Sequence, residues 1–152
     1  MGNDAETSTT YNHGLALALE NVSGAKVWCY QTDATCLGTQ YDGGTKINDL
    51  SGIANTDALV NHTGHTHDAA SAARGYNSGT HPEGTSAWFL PSVGQWDKMV
   101  TAVGDYWKLG LSPGNYWSST EVDAGNAWSV NGGSWSTDIK HYNHSVRACL
   151  AF

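Results

Sequence analysis

Basic residues are scarce in this chain of 152 residues: Lys and Arg number 7 against 14 Asp and Glu, a formal net charge of −7 with histidine neutral. Binding to nucleic acid is driven by Lys and Arg releasing counterions from phosphates. Seven scattered basic residues form no basic stripe, so a nucleic-acid partner is excluded. Long apolar runs are also missing. None approaches the ~20 residues a bilayer needs, so no membrane span is expected. The opening MGNDAETSTT has neither a positive n-region nor an apolar h-region. No signal peptide is therefore expected in this chain, and residues 1–12 read as a polar arm. Only three cysteines occur. Cys29 and Cys36 suit either a small loop disulfide in an oxidising compartment or two thiols. Cys149, inside the terminal VRACLAF, reads as a small buried apolar residue. Catalytic words are lacking as well: G-x-S-x-G, the P-loop, GxGxxG and H-E-x-x-H do not occur. No catalytic residue is assigned, the chain is not expected to be an enzyme, and no cofactor or metal is expected.

What is present is aromatic side chains and turn formers. Charged residues make up 14% and aromatics 11%, with 7 Trp, 7 Tyr and 18 Gly. A disordered chain would show the opposite balance, so one globular domain over 1–152 is expected, its loops held by an aromatic core. GLALAL (14–19) and AKVWCY (25–30) read as early strands. A helix capped by Asn55 or Thr56 is expected to run to about Arg74 and stop at Gly75, with Gly64 a weak point within it. Its HTGHTH stretch brings only His62 and His65 to adjacent positions and reads as a solvated helix face. Ser92 and Gln95 have capping-box spacing. Trp96, Met99, Val100 and Val103 then mark one apolar face of a second helix that ends near Gly104. From residue 115 the pattern is strands and turns: NYWSSTE, NAWSVN, GSWSTDIK and SVRACLAF. The sum is an α+β domain with two helices packed on short antiparallel sheets.

The passage WFLPSVGQWDKMV resembles the W-x-L-P-[ST]-x-x-E-[WF] signature of C-type-lectin-fold domains. The branch it resembles contains formylglycine-generating-enzyme-like proteins and many bacterial surface proteins. NYWSSTE, NAWSVN and VRACLAF stand in the order seen there, and HGLALALEN is similar to the first strand. Within that branch the chain looks like the variable proteins of diversity-generating retroelements. Such systems mutate adenines, turning Asn codons into Tyr, Ser, Asp, His, Thr, Ile and others. Residues of these types crowd the C-terminal part, about 116–150. The resemblance implies a ligand face of Asp123, Asn126, Ser129, Asn131, Ser134, Trp135, Ser136, Thr137, Asp138, His141, Tyr142, Asn143 and His144. Trp128, Val130, Lys140, Val146 and Arg147 are interleaved and look fixed. Such a face has paratope chemistry: amphipathic contact area and adaptable hydrogen bonds.

The resemblance thus implies a non-enzymatic binding protein displayed on a bacterial cell surface or a virion. Its partner would be a protein or glycan receptor, with oligomerisation possible. A fixed-sequence structural or adhesive domain of the same fold is the alternative. Lectin-type calcium binding is not expected, because the Glu-Pro-Asn, Gln-Pro-Asp and Trp-Asn-Asp words are absent and Glu121 with Asp123 is a thin ligand set. Gly132-Gly133-Ser134-Trp135 is similar to a word of the formylglycine-generating enzymes. Asn131 replaces the Arg of that word, and only Cys149 lies in this half, where those enzymes use a cysteine pair. The word reads instead as a β-turn before Trp135.

Overall fold

A computed structural model describes residues 10–30 and 33–152. Residues 1–9 of the expected arm lie outside the described residues. At its end, Tyr11 packs partly against the core and is not a free arm.

The described residues form five strands and three helices, an α+β architecture. The helices are α1 (Gly52–Val60), α2 (Asp68–Arg74) and α3 (Val93–Val103). Strand β1 (Leu15–Leu17) pairs antiparallel with β5 (Cys149–Ala151), Ala16 opposite Leu150, so an early and a late segment of the chain close on each other. The second sheet has the order β2 (Tyr116–Glu121), β3 (Asn126–Asn131) and β4 (Ser134–Ile139), all antiparallel. Backbone bridges from Phe89 to Cys149 and from Tyr116 to Ser145 tie β5 and the segment before it to the rest of the fold.

Three expectations fail here: the single helix to Arg74, its cap and the strand at 25–30. The helix expected to run to Arg74 is two helices, and the total is three where two were expected. Gly64, with φ +95°, turns the chain in residues 61–67, and α2 restarts with Asp68 in its first turn. Neither Asn55 nor Thr56 is a cap. The Asn55 side chain donates to Asp49, while Thr56 Oγ1 accepts from the Leu90 amide at 3.0 Å. The segment 25–30 is not a strand but a buried connection, with Lys26 bridging His144 and the Trp28 and Cys29 amides both donating to the Lys140 carbonyl. Here burial of Val27, Trp28 and Cys29 replaces a ladder.

Helix α3 is as expected. Ser92 and Gln95 close a capping box, and Gly104 ends the helix in the left-handed region at φ +76°. A Cβ on Gly94 would come within 2.5 Å of the backbone oxygens of both Ile47 and Asp49, so only glycine lets this helix sit so close to the preceding loop. The core is aromatic. Trp28, Trp96, Trp117, Tyr116 and Phe89 are almost wholly inside. Three of the buried indoles find a partner for their N–H, and that of Trp96 has none among the described residues. Trp28 donates to the Ser118 carbonyl, Trp117 to Lys26 and Trp128 to Tyr41, each at 2.8 Å. These bonds join the N-terminal loops to the three-stranded sheet.

Candidate functional site: the β3–β4 hairpin and the turn that follows

The hairpin closes through Gly132 and Gly133, whose φ angles of +59° and +82° are those of a tight two-residue turn that glycine permits. The register sets Val130 opposite Trp135, Ser129 opposite Ser136 and Ala127 opposite Asp138. Side chains alternate across a sheet, so the expected face divides. Asn126, Trp135 and Thr137 lie on one side, with the buried Trp128 and Val130. Ser129, Asn131, Ser134, Ser136 and Asp138 lie on the other. Strand β4 is an edge strand, and Ser134, Ser136 and Thr137 are exposed on it.

The second side continues into the turn after β4 through a chain of contacts. Asn131 donates to Asn115 (3.0 Å), and Asn115 donates to Asp138 Oδ2 (3.2 Å). The same oxygen accepts from Ser129 Oγ and lies 3.0 Å from His144 Nε2. The His144 ring leans on Trp117, centroid to centroid 4.3 Å, and edges toward Tyr142, whose ring in turn meets His141. Asp123 stands at the same end of the sheet, in the turn between β2 and β3. Burial alone would raise its carboxyl. Hydrogen bonds from the Asn126 side chain and the Gly125 and Asn126 amides outweigh that and hold it below the usual carboxylate range.

Of the thirteen expected face residues, eight are exposed: Asp123, Asn131, Ser134, Ser136, Thr137, His141, Tyr142 and Asn143. Ser129 is a correction. It is fully buried, its hydroxyl spent on Asp138, and it presents nothing to a ligand. Asp138 and His144 are corrected in part, with side chains only 19% and 12% exposed because they hold each other and the strand ends. Trp135 is half-buried against the core, and Asn126 is tied to Asp123. By contrast, Trp128, Val130, Lys140, Val146 and Arg147 are all buried.

Those inward residues carry the frame. Lys140 and Glu121 form an ion pair at 2.6 Å with no exposure of either side chain. Glu121 also accepts the Cys36 and Leu37 amides and the Gln40 side chain, while Lys140 donates to the Ala124 carbonyl. Glu121 is therefore bound into the interior, its oxygens taken by these donors. Arg147 donates to Asn21 and to the carbonyls of Ala18, Leu19 and Gly110, pinning the early chain under β5.

Two residues next to the face were not anticipated. Asn115 bridges Asn131 and Asp138, and nothing in the word NYWSSTE marks it. Trp107, half exposed, borders the hairpin tip, since a Cβ on Gly132 would meet its ring at 3.5 Å. An aromatic pair beyond a helix-ending glycine was the available signal.

The arrangement thus defines an α+β domain presenting a polar and aromatic edge. No family model matches the chain, and no curated protein matches it in sequence. Among solved structures, it is similar to a fimbrial protein from Bacteroides ovatus ATCC 8483, with a TM-score of 0.59 and 19% sequence identity. That likeness spans 93% of this chain and 36% of the fimbrial chain. Among the described residues no helix is long and apolar enough to cross a membrane.

Proposed function

We propose that this chain is a non-enzymatic binding domain of C-type-lectin fold, displayed on a bacterial surface structure or a phage tail. Its ligand face is the edge of β4 with the turn 141–143, and that face is diversified by a retroelement. The observation that carries this reading is the partition of the C-terminal region. From Asp123 to His144, residues of types that adenine mutagenesis generates are exposed or half-exposed, Ser129 excepted, and Trp128, Val130, Lys140, Val146 and Arg147 lie inside; the same types in β2 (Tyr116, Ser118, Ser119 and Thr120) are buried and belong to the frame. A rigid frame can then hold a face whose side chains change. The similarity to a fimbrial protein supports surface display. Cys149, fully buried, offers no accessible thiol beside the Gly132-Gly133 turn, which speaks against formylglycine-type oxidation.

The test is a library. Randomising Asn131, Ser134, Ser136, Thr137, His141, Tyr142 and Asn143 should leave most members folded, read by thermal unfolding, and should yield binders to an immobilised protein or glycan. Randomising Ser129, Asp138 and His144 should unfold most members. Equal damage from both libraries overturns the reading.

The fimbrial likeness also favours a second reading, a fixed-sequence adhesive or structural domain of the same fold. The gene's surroundings separate the two. A nearby imperfect repeat of the codons for about 116–150, differing only at adenines and beside a reverse transcriptase, supports diversification. Surroundings without such a repeat favour the fixed domain.

A further inference from the structure

Beneath the display face lies a cluster that ligand binding does not use. Cys29, Cys36 and His67 each bring one ligand atom within 4.8 Å of the other two. The two Sγ atoms are 4.0 Å apart and not joined by a disulfide. His67 is only 2% exposed, which overturns the solvated-helix reading of the HTGHTH stretch at this position. Neither of its ring nitrogens has a hydrogen-bond partner. A buried imidazole has a donor and an acceptor, or two donors, to satisfy. Each one left unmet is a loss of hydration that nothing in the fold offsets.

We propose that Cys29, Cys36 and His67 bind a divalent zinc-class ion, with His62, outside that three-residue cluster but edge-on to His67, turning in as the fourth ligand. Two sulfurs and imidazole nitrogen are the donor set such an ion selects. Around tetrahedral zinc two thiolate sulfurs stand about 3.8 Å apart, and here they need to close by only a few tenths of an ångström. Two imidazoles sharing such an ion have ring centres about 5 Å apart. The His62 and His67 centroids are 5.1 Å apart, and His62 Nδ1 is also buried without a partner.

The charge balance favours a divalent ion. Glu121 and Lys140 cancel each other alongside, with Lys140 Nζ 3.9 Å from Cys36 Sγ. Two thiolates and one divalent cation then leave the buried cluster neutral. Binding releases the two thiol protons to solvent and forms two metal–sulfur bonds. The ion would tie Cys29 and Cys36 to the turn between α1 and α2, beside Lys140.

The test uses the full chain, reduced and freed of metal, titrated with Co2+ and then Zn2+. The expected result is one Co2+ per chain, with thiolate-to-cobalt charge transfer and the visible bands of a tetrahedral site, both erased by Zn2+. Cys36→Ser and His67→Ala should each weaken Zn2+ binding by more than about 100-fold, beyond the loss of a supporting hydrogen bond. Should either variant fail to fold, the unmodified chain's cobalt spectrum still decides. Absence of charge transfer at one equivalent, or affinity unchanged in both variants, overturns the site. Unchanged affinity in His62→Ala overturns the fourth ligand.

Discussion

The outer edge of β4 and the ion pair beneath it are a few residues apart in sequence and opposite in physics. Ser136, Thr137, His141 and Tyr142 point into water, where exchanging one side chain for another alters few packed contacts. Lys140, between them in sequence, is sealed against Glu121, the Ala124 carbonyl and the face of Trp28. One strand end therefore carries both replaceable and irreplaceable residues. The lesson is that tolerance here follows the direction of the side chain and not its neighbourhood in sequence.

The largest loss is expected at Lys140. Lys140→Met leaves the Glu121 carboxylate buried without its counter-ion, and chemical denaturation should record a loss of about 3–5 kcal/mol. Next comes Asp138→Ala, which strips the buried Ser129 hydroxyl and the His144 ring of their acceptor; about 1–3 kcal/mol should be lost.

Tyr106, packed under the hairpin tip, gives a smaller, pH-dependent effect. Burial, then the neighbouring Tyr116, pushes its phenol up from 10.0 to about 12. The fold favours the neutral phenol, so this contribution is whole below pH 10 and is lost as pH rises through about 12. In Tyr106→Phe the fall in stability over that window should be shallower than in the parent chain, measured by denaturation at stepped pH. Smallest of all, Ser136→Ala, Thr137→Ala, His141→Ala and Tyr142→Ala should each move stability by no more than about 0.5 kcal/mol. A larger loss at Tyr142 would place it in the frame and shrink the face to β4.

Much of the C-terminal half was legible in the sequence because its information is local. The capping box at Ser92 and Gln95, the glycine stop at 104, the Gly132-Gly133 turn and the strand words all act through neighbours in the chain. The inward set of Trp128, Val130, Lys140, Val146 and Arg147 was legible too, as residues of a different kind set among Ser, Thr, Asn and His. The break between α1 and α2 was not. It depends on His67 turning inward against Trp28, and on Ala69 closing on the Val27 carbonyl, contacts some forty residues away. Ser129 was misplaced for a similar reason: its neighbours in sequence look displayed, but pairing with both Trp117 and Ser136 puts it in the middle of a three-stranded sheet.

Composition and spacing alone determined the class of the domain, the apolar face of α3, the hairpin and the polar character of its edge. Each is set by backbone preference or side-chain alternation over a few residues. Only the tertiary structure decided that Glu121 pairs with Lys140, that Asp138 gathers Asn115, Ser129 and His144, and that two cysteines meet a histidine from another loop. Those groups are distant in sequence, and burial brings them together because a charge or polar atom taken out of water must find its partner wherever the fold supplies one.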